Sequence, residues 1–247
     1  MNLSIVILTK NEAETIGDCL DSLVDLNPSE TLVIDDGSTD STVKNAREKS
    51  ARVFEYHKKD FADARNYASK EVKGDWILYV DADERVSKEL ATEIKHKLSK
   101  SAAAAYTVPR VNYYLGKKWP YVEKIIRLIK KSALQRWEGE VHESPVIHGA
   151  TVALTQPLYH YTHRNLKEMV ENTLVWSEIE AKLRYNSGHP QISWWRIPRV
   201  MLLAFWDYYI SQGGWKVGTV GLIESIYQAF SIFITYARLW EMQQNKA

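Results

Sequence analysis

The sequence predicts an α/β fold, a mostly parallel sheet with helices on both faces, followed by a helical C-terminal extension. Three observations predict it. A nearly continuous apolar run opens the chain, a strand and helix alternation then repeats, and the last third turns to long apolar and aromatic periodicities. Residues 3–9 (LSIVILT) are short and rich in branched side chains, the pattern of a strand buried on both faces. Over residues 13–24, Ile16, Cys19, Leu20, Leu23 and Val24 fall on one face at helical spacing. The pattern repeats with a strand at 31–35, a turn at Asp36-Gly37-Ser38, a helix at 42–50 and a strand at 52–56. A helix at 63–72, stopped by Gly74, and a strand at 76–80 complete it. Such alternation implies right-handed crossovers and a ligand crevice at the carboxyl ends of the strands.

Composition bounds the function. A chain of 247 residues, 45% hydrophobic and 26% charged, has enough apolar material for one sizeable core plus an appendage. Lys+Arg 32 against Asp+Glu 31 leaves a net charge of +1, without the basic surplus of a nucleic-acid binder. The single cysteine, Cys19, sits among apolar helix positions and reads as a small core residue, and no disulfide framework exists. No basic leader or cleavage site precedes the first strand, so the expected compartment is the cytoplasm.

The polar residues after each strand form one set: Thr9, Asn11 and Glu12, then Asp35 and Asp36, then Asp81, Asp83 and Glu84. Acids gathered at one edge repel one another, and a cation or a donor-rich ligand is the expected compensation. Asp81 and Asp83 stand at i and i+2 with the small Ala82 between, a spacing that lets both carboxylates face one Mg²⁺ or Mn²⁺ shared with phosphate oxygens. Alone, Asp-x-Asp reads sooner as a turn with Asp83 capping the next helix; the other strand-end acids weigh toward the metal. A second acidic cluster, Trp137-Glu138-Gly139-Glu140-Val141-His142-Glu143, is too polar for a core strand. Glu140, His142 and Glu143 are its candidates for taking a proton from an attacking hydroxyl.

Four motifs in order, Ile7-Leu8-Thr9-Lys10-Asn11-Glu12, Asp35-Asp36-Gly37-Ser38-Thr39-Asp40, Ala64-Arg65-Asn66 and Asp81-Ala82-Asp83-Glu84, resemble those of family-2 glycosyltransferases. Leu115-Gly116, Arg127-Leu128 and Val141-His142-Glu143 are similar to downstream elements of the short bacterial lipopolysaccharide-core and cell-surface glycan transferases in that family. After Arg127-Leu128 the chain reads Ile129-Lys130-Lys131, where those transferases often carry an aromatic residue or Arg. The resemblance covers about residues 1–165 and implies a GT-A catalytic domain over residues 1–163, with residues 164–247 as the helical extension. It implies a nucleotide-sugar donor, UDP-hexose, bound by Thr9, Asn11, Glu12, Asp35, Asp36, Arg65 and Asp81. Thr9 lines the uridine pocket, Asp35 or Asp36 accepts from the base, and Arg65 approaches the diphosphate. A divalent metal is expected on Asp83 and His142, and inverting transfer with Glu143 as base and Glu140 as its alternative. The expected acceptor is a hydroxyl of a cell-envelope glycan or lipid-linked glycan. His160 and His163, alternating with aromatics, read as satisfied structural histidines.

In the last third, an amphipathic helix is expected at 165–185, broken by Gly188-His189-Pro190. Residues 200–206 are too short to span a bilayer, and residues 217–237 have the length but contain Glu224 and Gln228, so no spanning helix is assigned. Leu222, Ile223, Ile226, Tyr227, Phe230, Phe233, Ile234 and Ala237 recur at helical spacing, fitting a docked helix or an interfacial one. Trp194, Trp195, Arg196, Arg199, Trp206, Trp215 and Lys216 favour headgroup depth, and an exposed apolar face equally suits a homodimer. Peripheral attachment to the inner face of the cytoplasmic membrane follows from the first of these. Other classes are a non-catalytic nucleotide- or glycan-binding module on the same fold and an Asp-x-Asp phosphatase. The phosphatase chemistry normally uses the first strand, which here ends in Thr9-Lys10-Asn11-Glu12. A nucleotidyltransferase would need a glycine-rich phosphate loop after that strand, and none is present.

Overall fold

A computed structural model describes residues 2–100, 103–139 and 143–245. They gather into two compact units, one formed by Met1–Val111 with Glu123–His160, the other by Asn112–Val122 with Tyr161–Ala247.

The first unit opens with the expected alternation: β1 (Leu3–Thr9), α1 (Ile16–Ser22), β2 (Glu30–Asp35), α2 (Thr42–Glu48), β3 (Arg52–Glu55), α3 (Phe61–Glu71) and β4 (Trp76–Asp81). These four strands are parallel in the order β3-β2-β1-β4. The order of connection reverses between β1 and β4, and a crevice opens at such a point beyond the strand carboxyl ends. Register puts Leu8 beside Asp81 and Thr9 beside Asp35, so the polar residues after these strands share one edge. β1 is buried throughout because both faces are covered: Leu3, Ile5 and Ile7 pack with Ile16, Cys19 and Leu20 of α1, while Val6 and Leu8 pack with Ala62, Ala64 and Ala68 of α3. Gly74 is forced by the turn into β4, since a Cβ there would sit 2.6 Å from Ser4 Oγ and 2.8 Å from the Asn2 carbonyl.

Two helix starts differ from the sequence pattern for local reasons. α1 begins at Ile16 rather than Ala13, because the Glu12 amide donates to Thr42 Oγ1 (2.7 Å) and Asn11 is left-handed at φ 54°, which ties the chain to the loop after β2. α3 begins at Phe61 because the Asp60 carboxylate accepts from the Asp63 amide at 2.7 Å, an N-cap two residues earlier than the apolar spacing shows.

Beyond β4 come β5 (Glu84–Val86), α4 (Lys88–Lys100), β6 (Ala105–Tyr114), β7 (Lys117–Lys130), β8 (Leu134–Glu138), β9 (Ser144–Ile147), β10 (Thr151–Ala153) and β11 (Leu158–Thr162). The described sheet continues β4-β7-β6-β11-β5 with β10 beside β6, and β7 is antiparallel to β4, so the sheet is mixed rather than parallel throughout. β8 and β9 form a separate antiparallel pair.

The second unit holds α5 (Leu166–Asn186), α6 (Arg196–Trp206) and α7 (Thr219–Gln244). Ala181, Ile192, Tyr236 and Leu239 form its small core. The Tyr227 hydroxyl donates to the Met169 carbonyl (2.7 Å) and accepts from Thr173 Oγ1 (2.9 Å), joining α7 to α5. Glu224, fully buried on α7, meets His163 Nδ1 at 2.9 Å and accepts from Gln228 Nε2 at 2.8 Å. α7 starts against Gly214: a Cβ on Gly221 would lie 1.8 Å from the Gly214 carbonyl oxygen, so backbone meets backbone there. Among the described residues, α7 is the one helix long and apolar enough to cross a membrane by length and composition.

Candidate active site at the strand carboxyl ends

β1 delivers Thr9 buried, its Oγ1 unpartnered among the described residues and its carbonyl accepting from the Asp36 amide at 3.0 Å. Asp35 is buried, accepting from the Ser38 amide (2.9 Å) and Oγ (2.5 Å), which closes the turn after β2. Asp36 accepts from Lys58 Nζ (3.0 Å) and Lys10 Nζ (3.1 Å). Burial would raise its pKa, but Lys58 and Lys10 outweigh that and hold the carboxyl below the ordinary aspartate range. Asn11 serves the same loop, its Oδ1 accepting from the Thr39 amide (2.8 Å), whereas Glu12 Oε2 accepts from Thr15 Oγ1 (2.6 Å) just before α1.

The centre of the site is Arg65 on α3, 2% exposed. Its Nε donates to Glu143 Oε1 at 2.9 Å and its Nη2 to Asp81 Oδ1 at 3.0 Å, while Nη1 is buried with no described partner. The guanidinium lies over the Trp137 ring, 4.9 Å from its centroid. Asn66, next in the Ala-Arg-Asn motif, fixes that tryptophan by a reciprocal pair: its Nδ2 donates to the Trp137 carbonyl (2.9 Å) and its Oδ1 accepts from the Trp137 amide (2.8 Å). One motif thus supplies both the cation and the clamp on its aromatic floor.

Asp81 has a second cation. Arg127 on β7 donates through Nη2 to Asp81 Oδ2 and to Glu84 Oε1, the latter at 2.9 Å. Glu84 is fully buried, and its Oε2 accepts from the Asp81 amide at 2.9 Å. Arg110 on β6 reaches Glu84 Oε1 at 3.4 Å and is held by Glu123. Burial opposes ionisation of Asp81, yet Arg127 and then Arg65 outweigh it and keep the carboxyl far below its usual range; Arg127 is raised in return, chiefly by Asp81 and Glu84 against its own burial. Asp83 is separate, its Oδ2 3.1 Å from His160 Nε2 on β11. Burial would raise Asp83 and lower His160; each instead shifts toward its charged form because of the other. Cys19 is buried, its Sγ 3.5 Å from the Asp81 carbonyl, and burial holds the thiol well above its ordinary value.

The structure brings Arg65, Asp81 and Glu143 together and keeps Asp35, Asp36, Asn11 and Glu12 in the neighbouring loop. His142 and Glu140 lie outside the described residues. Asp81 is bridged by two guanidinium groups, from Arg65 and Arg127, whereas Asp83 pairs with His160. Arginines supply much of the charge compensation that the sequence assigns to a metal. Asp83 is suited to a hard cation, being a partly exposed carboxylate paired with an imidazole rather than a guanidinium. His160 stands at the site rather than apart from it, because antiparallel pairing sets it opposite Glu84. Arg110 and Arg127 carry no assigned role in the sequence reading. Their signal is an arginine inside an apolar strand run, as in Ile125-Ile126-Arg127-Leu128-Ile129, which demands a buried carboxylate.

The glycosyl transferase family 2 model matches residues 4–162. The chain is 27% identical to an uncharacterized glycosyltransferase of Rickettsia prowazekii (strain Madrid E), over 97% of this chain and 87% of that protein. It is 26% identical to the lipopolysaccharide core biosynthesis glycosyltransferase LpsC of Rhizobium meliloti (strain 1021), over 99% of this chain and 94% of that protein. Among solved structures, S. aureus TarS 1-349 in complex with UDP-GlcNAc superposes with a TM-score of 0.52 at 15% identity, covering 100% of this chain and 92% of that one. The sheet with its helices is thus of GT-A type, and with the family match spanning the strand-end motifs, the chain belongs to glycosyl transferase family 2.

Proposed function

We propose that this glycosyltransferase moves a hexose from UDP to a hydroxyl of a cell-envelope glycan or lipid-linked glycan, with inversion. The observation that carries the proposal is Arg65, whose one guanidinium holds the Asp-x-Asp carboxylate Asp81 and the candidate base Glu143. Residues 1–163 are read as the catalytic part and residues 164–247 as its helical extension. The similarity to LpsC over nearly its whole length supports an envelope glycan acceptor. A cytoplasmic enzyme working at the inner face of the membrane suits such an acceptor.

In this mechanism Thr9 and the loop held by Asp35, Asn11 and Glu12 receive the nucleoside, and Asp36 meets the base edge. Arg65, with Nη1 unspent, stabilises negative charge on the departing diphosphate, and Asp81 fixes the plane of that guanidinium. A divalent ion on Asp83, with His142 as the second ligand, would supply further charge stabilisation to the diphosphate. Glu143 has Oε1 tied to Arg65 and no described partner on Oε2, which leaves that oxygen to take the acceptor proton as the hydroxyl attacks C1 opposite the diphosphate. No covalent enzyme intermediate is required.

The test is a screen of radiolabelled UDP-hexoses against envelope glycan acceptors, followed by the anomeric configuration of the product. Glu143→Gln keeps donor binding and lowers kcat by about 100-fold or more, the scale of a lost general base. Transfer near the wild-type rate would move the role to Glu140. Retained configuration would remove the single-displacement mechanism.

A further inference from the structure

The tryptophans divide sharply by position. Trp76, Trp119 and Trp137 are buried and Trp176 is half-buried, whereas all five beyond Ser193 (Trp194, Trp195, Trp206, Trp215 and Trp240) are exposed, Trp194 at 84% and Trp206 at 61%. A folded unit that can bury large aromatics and leaves these in water presents them to something else. On α6 the exposure is ordered. Trp195, Arg199, Leu202, Leu203, Trp206 and Ile210 recur at spacings of three, four and one, and all are exposed, so they form one stripe along the helix and the turn that follows it. The opposite side, through Ile197 and Val200, packs on the small core of the second unit. α6 therefore points its apolar face outward.

Charge distinguishes the occupants of such a face. Residues 193–217 carry Arg196, Arg199 and Lys216 against the single acid Asp207, a local surplus of three minus one, whereas the whole chain is +1. The guanidinium groups of Arg196 and Arg199 lie 5.8 and 6.0 Å from the Trp195 ring centroid, so cation and aromatic are presented together. A second copy of the chain would bring the same cations against themselves wherever this stripe met its own image. An anionic lipid surface answers both the charge and the tryptophans, which prefer the depth of the headgroups.

We propose that the α6 stripe is an in-plane docking site for anionic phospholipid, with α7 tied into the second unit rather than spanning the membrane. α7 has the length to cross, but its Glu224 is fully buried and bound to His163 and Gln228 within the same unit. Removing α7 to hydrocarbon would break that pair and expose the carboxylate. This deepens the membrane-proximal acceptor reading, but lipid binding is measured with no sugar nucleotide or acceptor present, so failure of transfer and failure of docking are separate results.

The test uses the full chain and vesicles of phosphatidylcholine alone or mixed with phosphatidylglycerol, read by co-sedimentation and by the blue shift of tryptophan emission. The expected result is binding to the mixed vesicles that is weakened by salt. Leu202→Glu with Leu203→Glu lowers the partition coefficient by about 100-fold or more, from two buried leucines lost. Arg196→Gln with Arg199→Gln lowers it about tenfold or more. Leu174→Glu, exposed on α5 and not part of the stripe, leaves it unchanged and controls for added charge. Circular dichroism melts of all variants stay close to wild type because none of the altered side chains is buried. Alkaline carbonate washing of cell membranes releases the protein. Absence of binding to anionic vesicles, equal loss with Leu174→Glu, retention after carbonate, or a solution dimer that Leu202→Glu with Leu203→Glu dissociates while vesicle binding is absent would each overturn the proposal.

Discussion

Replacing Arg65 by Ala tests whether the strand-end carboxylates are held by one buried cation. The wild-type guanidinium makes charge-assisted hydrogen bonds of 2.9 Å to Glu143 and 3.0 Å to Asp81 from a position 2% exposed. Two such bonds at about 1.5–3 kcal/mol each give about 3–6 kcal/mol, and removing one partner of a buried pair costs about 3–5 kcal/mol. Asp81 keeps Arg127, and Glu143 is partly reached by solvent, so the lower end applies, about 3 kcal/mol. At about 2–4 °C per kcal/mol for a chain of this size, the unfolding midpoint of the first unit drops by about 6–12 °C. Arg65→Lys keeps the charge, but one ammonium does not reproduce a planar fork aimed at two carboxylates, so about half the loss returns while kcat/KM stays depressed. Calorimetric melts of wild type, Arg65→Ala, Asp81→Asn and the double variant form the assay, with a coupling of about 1–3 kcal/mol between the two positions. A melt of Arg65→Ala within about 2 °C of wild type, or additive losses in the double variant, would refute the bridging role.

Acid should weaken the fold in a way traceable to Asp36. Its carboxyl is depressed in the folded chain by Lys58 and Lys10, so the stability it adds is present above the unfolded aspartate value of about 3.9 and is lost as pH falls through the lower folded value. Asp36→Asn should therefore narrow the difference in melting temperature between neutral pH and acid, and an unchanged difference removes Asp36 as a contributor. In the second unit, Gly221→Ala should destabilise by about 2 kcal/mol or more, since its methyl meets the Gly214 carbonyl oxygen at 1.8 Å. Far-ultraviolet circular dichroism during urea unfolding reads this, and a wild-type midpoint would show that the two glycines are not in close approach.

The alternation from β1 to β4 is legible because a doubly covered strand has little choice but to be apolar, and Leu3 to Leu8 and Trp76 to Val80 are all buried. Strands β6 and β7 are harder to read. β7 exposes Lys117, Lys118, Tyr121 and Lys124 along much of its length, so no apolar run marks it until Ile125. The same difference governs the site. Acids that follow readable strands can be placed at one edge from sequence, and Asp81 and Glu84 do stand there. Apart from Arg65 on α3, the groups that pair with the strand-end acids come from β6, β7 and β11, whose pairing is long-range, so the partnership of Arg127 with Asp81, or of His160 with Asp83, is visible only once the sheet is assembled. From sequence the acids can be read as needing compensating charge, but which cations face each of them cannot. The exposed aromatic stripe of α6 is half legible: its composition points to an interface, whereas the side that faces outward depends on where Ile197 and Val200 pack.

The measurement that bears most directly on a nucleotide-sugar transferase is calorimetric titration with UDP, in Mn²⁺ or Mg²⁺ and again with chelator, on wild type and Asp83→Ala. The expected result is UDP binding in preference to other nucleoside diphosphates, weakened about tenfold or more by chelation and to the same degree by Asp83→Ala. Wild-type affinity in Asp83→Ala would contradict the placement of the ion. No binding of any nucleoside diphosphate would contradict the account as a whole and leave a non-catalytic glycan-binding module on this fold.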